Sequence, residues 1–106
     1  MTYTIKFKDG STKEFKTLVG ADLMQADLSR CDLSGVNLKG ANLSYSDFSF
    51  GELKRANLTS SDLSGACLKT SDLRDAILNT DLSKTDLRKA FLRNEDLKSN
   101  VLGSTC

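Results

Sequence analysis

The sequence predicts an all-β chain, with a β-hairpin cap over residues 1–17 followed by a parallel β-helix of square coils, a solenoid, over residues 18–104. Three observations predict it. Every leucine in the chain stands on a ladder with a five-residue step. The residue two places before a ladder position is nearly always small or β-branched, and the residue immediately before it is usually Asp or Asn.

The N-terminal segment lies outside the repeat. Tyr3, Ile5 and Phe7 alternate with Thr4, Lys6 and Lys8, Asp9-Gly10 interrupts, and Ser11 to Phe15 follows. Alternation of period two on both sides of a turn-forming dipeptide reads as a hairpin. A repeat stack has an apolar end that must be covered, so the hairpin is expected to cap the first coil.

The ladder runs Leu18, Leu23, Leu28, Leu33, Leu38 and Leu43, then Phe48, then Leu53, Leu58, Leu63, Leu68, Leu73 and Leu78. It slips by one residue and continues as Leu82, Leu87, Leu92, Leu97 and Leu102. Period five suits neither common element. On a helix every fifth residue drifts round the axis, and on a flat strand every fifth residue changes face. The spacing is satisfied when the backbone bends by about a quarter turn after each pentad, so that four pentads close a coil of twenty residues. Residues two apart in an extended segment share a face, so the small residue before each ladder position also points inward: Ala21, Ala26, Cys31, Val36, Ala41, Ser46, Gly51 and Ala56 open the series. The intervening Asp or Asn then points outward, where its side chain can accept from backbone amides at the bend.

Three features depart from the pattern. Leu78 to Leu82 is a four-residue step, so the turn Asn79-Thr80-Asp81 must be shortened or bulged. Ile77 and Phe91 replace outward Asp, while Tyr45 and Phe50 occupy corners of one coil; these four are the candidate contact surface for a partner. Near the C-terminus, Glu95 and Asn100 fall at inward positions, so the column should loosen and leave Leu92, Leu97 and Leu102 near an open end, a candidate homodimer interface.

Composition excludes several functions. The chain has no His, Trp or Pro, and 15 basic residues against 14 acidic ones give a net charge of +1. Without imidazole, the common metal sites and His-based triads are absent, and no catalytic, cofactor-binding or metal-ligating set is expected. A balanced charge gives no footprint for direct nucleic-acid binding, and no apolar run is long enough for a membrane span. Lysines fall at outward or terminal positions, where no base is expected of them. Cys31 takes an inward small position, Cys67 replaces an outward Asp and is expected to be exposed, and Cys106 ends the chain. Their wide spacing is no disulfide framework, and a reducing cytoplasm is the simplest setting.

The units Ala21-Asp22-Leu23-Met24-Gln25, Ala41-Asn42-Leu43-Ser44-Tyr45 and Ala56-Asn57-Leu58-Thr59-Ser60 resemble the pentapeptide-repeat family, whose consensus is A(D/N)LXX. The resemblance covers roughly residues 16–104, about four and a half coils, and implies that the quadrilateral β-helix is right-handed. Two functions are expected. The leading one, resting on a rigid, ligand-poor stack with large repetitive flat faces, is a non-enzymatic structural or protein-interaction module of unknown physiological role, with an unknown protein partner. The alternative, implied by the resemblance, is a DNA mimic that binds DNA gyrase or topoisomerase, as quinolone-resistance members do. That alternative wants a long acidic rod, whereas residues 20–106 hold eleven basic and twelve acidic groups.

Overall fold

The computed structural model describes residues 2–93. Two strands, β1 (Tyr3–Phe7) and β2 (Thr12–Phe15), form an antiparallel hairpin in which Tyr3 pairs with Phe15 and Lys6 with Thr12. A third short strand, β3 (Ala26–Asp27), belongs to the first coil and pairs antiparallel with β1, Lys6 opposite Asp27 and Phe7 opposite Ala26. Ile5 is 3 % exposed and shares one core with Leu18 and Leu23, and Tyr3, Phe7 and Phe15 pack against that core.

Beyond the hairpin the chain winds in coils. Most pentads contribute one bridge residue, and the bridges are all parallel and, before the slip, twenty residues apart: Asp22 with Asn42, Asp32 with Glu52, Asn37 with Asn57. Four pentads therefore make a coil with four faces. The first face carries Leu23, Leu43, Leu63 and Leu82; the second Leu28, Phe48, Leu68 and Leu87; the third Leu33, Leu53, Leu73 and Leu92; the fourth Leu38, Leu58 and Leu78. Every ladder residue from Leu18 to Leu87 is at most 7 % exposed, and the Ala residues at positions 26, 41, 56 and 66 are fully buried. Burying these side chains is the main favourable term of the fold, each contributing on the order of 2 kcal/mol.

The corner is built the same way in nearly every pentad. The amide of the next inward residue donates to the ladder carbonyl three residues back, as Ala26 N–H does to Leu23 (3.0 Å) and Ala56 N–H to Leu53 (3.0 Å). The second residue after the ladder position holds a left-handed backbone, as a type II turn requires. Four glycines adopt this region at the corners, Gly20, Gly35, Gly40 and Gly65, and so do nine non-glycine residues, Tyr45 and Phe50 among them, with φ from 58° to 64°. The outward Asp or Asn locks the turn from outside. Asp32 Oδ1 accepts from Ser34 N–H (3.0 Å), Asn57 Oδ1 from Thr59 N–H (3.0 Å) and Asp62 Oδ1 from Ser64 N–H (3.0 Å). These are Asx turns. Where the inward small residue is Ser, its hydroxyl also donates to the ladder carbonyl, as Ser46 does to Leu43 (2.6 Å) and Ser71 to Leu68 (2.7 Å). No buried side-chain polar atom lacks a partner among the described residues.

The one-residue slip is absorbed locally. Downstream of it the bridges join residues nineteen apart, Cys67 with Asp86 and Asp72 with Phe91. In an ordinary pentad the outward residue's N–H reaches back to the preceding coil, as Asp62 N–H does to Ala41 C=O (2.9 Å). At the slip the Thr80 hydroxyl donates to Ser61 C=O in its place. The Thr85 hydroxyl donates to Leu63 C=O (3.1 Å), and Leu82 stays fully buried.

The Asx turns make acid stability testable. The hydroxyl and amide of Ser29 hold Asp27 below the ordinary carboxylate pKa, and the amide and hydroxyl of Ser34 and Ser64 do the same for Asp32 and Asp62. A depressed folded-state pKa stabilises the fold above the unfolded value of about 3.9, and that contribution disappears as pH falls through the lower folded-state values. Asn37, Asn42 and Asn57 make the same turn bond without titrating. An Asp32→Asn/Asp62→Asn variant is therefore expected to match the parent at pH 7 and to lose less stability below about pH 4. Urea denaturation between pH 2 and pH 7 checks this; an acid limb as steep as the parent's contradicts it.

Candidate interaction surface

The four apolar residues singled out from the sequence are all exposed: Tyr45 54 %, Phe50 49 %, Ile77 50 % and Phe91 54 %. They do not form one patch. Tyr45 and Phe50 stand on the two corners that bound the second face of the second coil. Ile77 lies on the fourth face, bridged to Asn57, and Phe91 on the third, bridged to Asp72. Val19 and Met24, each 45 % exposed, add two apolar side chains beside the hairpin that sequence reasoning passed over. Met24 stands in the polar position after a ladder leucine, and that type mismatch was the available signal.

Neither aromatic corner is loose. The Tyr45 ring lies over Gly65 one coil below: a Cβ at Gly65 would sit 2.6 Å from the ring's Cδ1 and Cε1. The Tyr45 carbonyl accepts from Lys8 Nζ of the hairpin. The Arg30 guanidinium lies 4.8 Å from the Phe50 ring centroid, a cation–π contact down the neighbouring corner. Gly65 also holds a left-handed φ of 70°. Gly65→Ala is accordingly expected to lower stability by about 1–2 kcal/mol, from backbone strain plus displacement of the ring. In a Tyr45→Ala background the ring part disappears, so the cost should fall. Thermal unfolding of the four variants of this cycle reads the coupling, and a cost independent of Tyr45 would refute the contact.

Charges on these faces are partly paired. Arg74 binds Asp72 (2.7 Å) and Arg93 binds Asp75 (2.6 Å). Arg88 binds Asp86 (2.8 Å), a carboxylate with no exposed side-chain surface although its pentad position was expected to point outward. The guanidinium of Arg88 lies over it, donating from Nε to both oxygens (3.0 Å each). Cys31 is half-buried, and burial raises its thiol pKa, with the Asp27 charge adding to the rise. Cys67, expected to be exposed, is half-buried between Asp47 above and Asp86 below. Shallow grooves flank the hairpin, one lined by Phe7, Asp9, Ser11, Lys13, Asp22 and Met24. No helix among the described residues is long and apolar enough to cross a membrane. Leu92 is half-buried, while Leu97, Leu102, Glu95, Asn100 and Cys106 lie outside the described residues.

A parallel stack of square coils, cornered by type II turns and Asx bonds, defines a pentapeptide-type β-helix. The family described as pentapeptide repeats (8 copies) matches the chain over residues 21–59 and 37–75. The protein belongs to the pentapeptide repeat family, and its coils form the right-handed quadrilateral β-helix of that family. It is similar to alr5209, a pentapeptide repeat protein from Nostoc PCC 7120, at 31 % identity over 70 % of this chain and 72 % of that one, with a TM-score of 0.64. It is also similar to a trypsin-treated form of QnrB1, a plasmid-mediated fluoroquinolone resistance protein, at 25 % identity over 76 % of this chain, with a TM-score of 0.68. The chain spans 39 % of that QnrB1 structure. No curated protein sequence matches the chain.

Proposed function

We propose that the chain is a non-enzymatic protein-interaction module, a rigid post that holds a few apolar side chains in fixed places. One observation carries this reading: Tyr45, Phe50, Ile77 and Phe91 are each about half exposed on faces otherwise made mostly of polar and charged side chains. Apolar surface held on a rigid frame lowers the ordering cost of association. The turn-locking Asp and Asn side chains are engaged with their own backbone, which favours a scaffold role for them over a catalytic one. The cap (residues 1–17) and the solenoid (18–104) act together in this reading, because β1 extends the second face as a strand. Self-association through the C-terminal coil and a cytoplasmic setting belong to the same reading. Light scattering that shows only an 11.6 kDa particle would remove the homodimer.

The test is a paired capture from the native host, using the parent and a Tyr45→Ser/Phe50→Ser/Ile77→Ser/Phe91→Ser variant with the same far-UV circular dichroism. A protein retained by the parent and lost by the variant supports the reading. The same proteins on both, or none on either, refutes it.

The likeness to a fluoroquinolone resistance protein supports a second reading, a DNA mimic acting on gyrase. The net charge of −1 over residues 20–106 is far below the charge density of a duplex, which places this reading second. Inhibition of gyrase supercoiling at micromolar protein would reverse the order.

A further inference from the structure

The first and second faces of the stack differ in charge in the later coils. On the first face the outward column is Asp22, Asn42, Asp62 and Asp81, all carboxylate or amide. The second face and its two corners carry the opposite sign in the later coils. Lys69 and Arg88 stand one above the other in the column after the ladder, since Phe50 N–H donates to Lys69 C=O and Thr70 N–H to Arg88 C=O. Lys84 lies beneath Gly65 on one corner, joined by the bond from Gly65 N–H to Lys84 C=O (2.9 Å). Lys89 follows Arg88 on the other corner, with a left-handed φ of 60°. Arg88 is neutralised by Asp86 and Lys84 acts on the Asp81 carboxylate of the adjoining face, whereas Lys69 and Lys89 form no ion pair among the described residues. Coils rise by about 4.8 Å, so Lys69 lies one coil below Phe50, while Lys84 and Lys89 lie two coils below the Tyr45 and Phe50 corners.

We infer that the second face of the third and fourth coils is a docking surface for an acidic, extended polypeptide segment. Carboxylates of the segment meet Lys69, Lys84 and Lys89, and an apolar side chain lies between the Tyr45 and Phe50 corners. The inference deepens the interaction-module reading and rests on it. Cations gathered on one face and its corners repel one another, and an anionic partner relieves that repulsion. The sequence of faces selects the partner's shape. The exposed carboxylates of Asp22, Asp62 and Asp81 border the basic stripe on the first face. A polyphosphate broader than the stripe meets those carboxylates and is repelled, whereas a single extended peptide fits along it.

Fluorescence anisotropy tests this with three labelled probes at low and at physiological salt: a peptide of six Glu-Leu repeats, a peptide of six Lys-Leu repeats, and a dT12 oligonucleotide. The Glu-Leu peptide is expected to bind, more tightly at low salt, and the Lys-Leu peptide is not. Lys69→Glu/Lys84→Glu/Lys89→Glu is expected to weaken binding by on the order of tenfold. Arg88 is kept because it covers Asp86. A Lys16→Glu/Lys39→Glu/Arg55→Glu variant makes the same net-charge change on and beside the fourth face and is expected to shift binding less than about twofold. Melting curves matching the parent confirm that both variants fold. Absence of Glu-Leu binding, equal loss in both variants, or tighter binding of dT12 overturns the assignment, the last making the stripe a nucleic-acid surface. If the Glu-Leu peptide fails while the native-host capture still depends on Tyr45, Phe50, Ile77 and Phe91, the module reading stands and the acidic-segment assignment alone falls.

Discussion

Leu63→Ala is expected to destabilise the protein by about 3 kcal/mol, lowering Tm by roughly 10–20 °C for a chain of this size. Leu63 is 1 % exposed and lies between Leu43 and Leu82 in the first-face column, both fully buried. Truncation there removes transfer free energy and leaves a cavity in a column whose backbone is fixed by inter-coil bonds, such as Leu43 N–H to Asp62 C=O (2.8 Å). Such a site collapses poorly, which puts the cost well inside the range for buried leucines. Ser64→Ala, one residue along on the outside, should change stability by less than about 0.5 kcal/mol. Chemical denaturation of the pair measures the contrast. Comparable small effects at both positions would mean that the ladder is not the core.

The second large effect is expected at Arg88. Its guanidinium is the cation over Asp86, whose side chain has no exposed surface. Arg88→Met should cost about 2 kcal/mol, because a buried carboxylate loses its charge-balancing partner. Adding Asp86→Asn should recover most of that loss, since Asn37, Asn42 and Asn57 close the same turn elsewhere without a charge. Arg74→Met is the control. Asp72 keeps 14 % of its side-chain surface and Arg74 44 %, so removal of that guanidinium should cost under about 1 kcal/mol. Equal losses at Arg74 and Arg88, or no recovery in the double variant, would contradict this account.

The architecture was legible because the inward positions are specified by residue type at a fixed interval. Leucine every fifth residue, a small residue two places earlier and Asp or Asn between them translate directly into ladder, inner corner and outer lock. The slip was legible too, although its remedy was not: the Thr80 hydroxyl acting in place of an amide is a tertiary event with no local signature. The left-handed corners were hidden for a related reason. Gly20, Gly35, Gly40 and Gly65 advertise them, but Tyr45, Phe50, Arg55 and Lys89 adopt the same conformation because the inter-coil bonds on either side overrule local preference. The surface was harder still. Tyr45, Phe50, Ile77 and Phe91 could be named from the sequence as apolar residues in polar positions, yet their separation onto different faces follows only from the coil register. The burial of Asp86 under Arg88 and the join between β1 and β3 depend on contacts that no pentad encodes by itself.

The most direct test of the square coil is a methyl NOE spectrum of selectively labelled leucines. A backbone that turns a corner after each pentad places Leu43 against Leu63, twenty residues on, and Leu63 against Leu82, nineteen on. Strong cross-peaks for both pairs, with Leu23–Leu43 completing the column, are the predicted result; their absence would contradict the fold and everything argued from its faces.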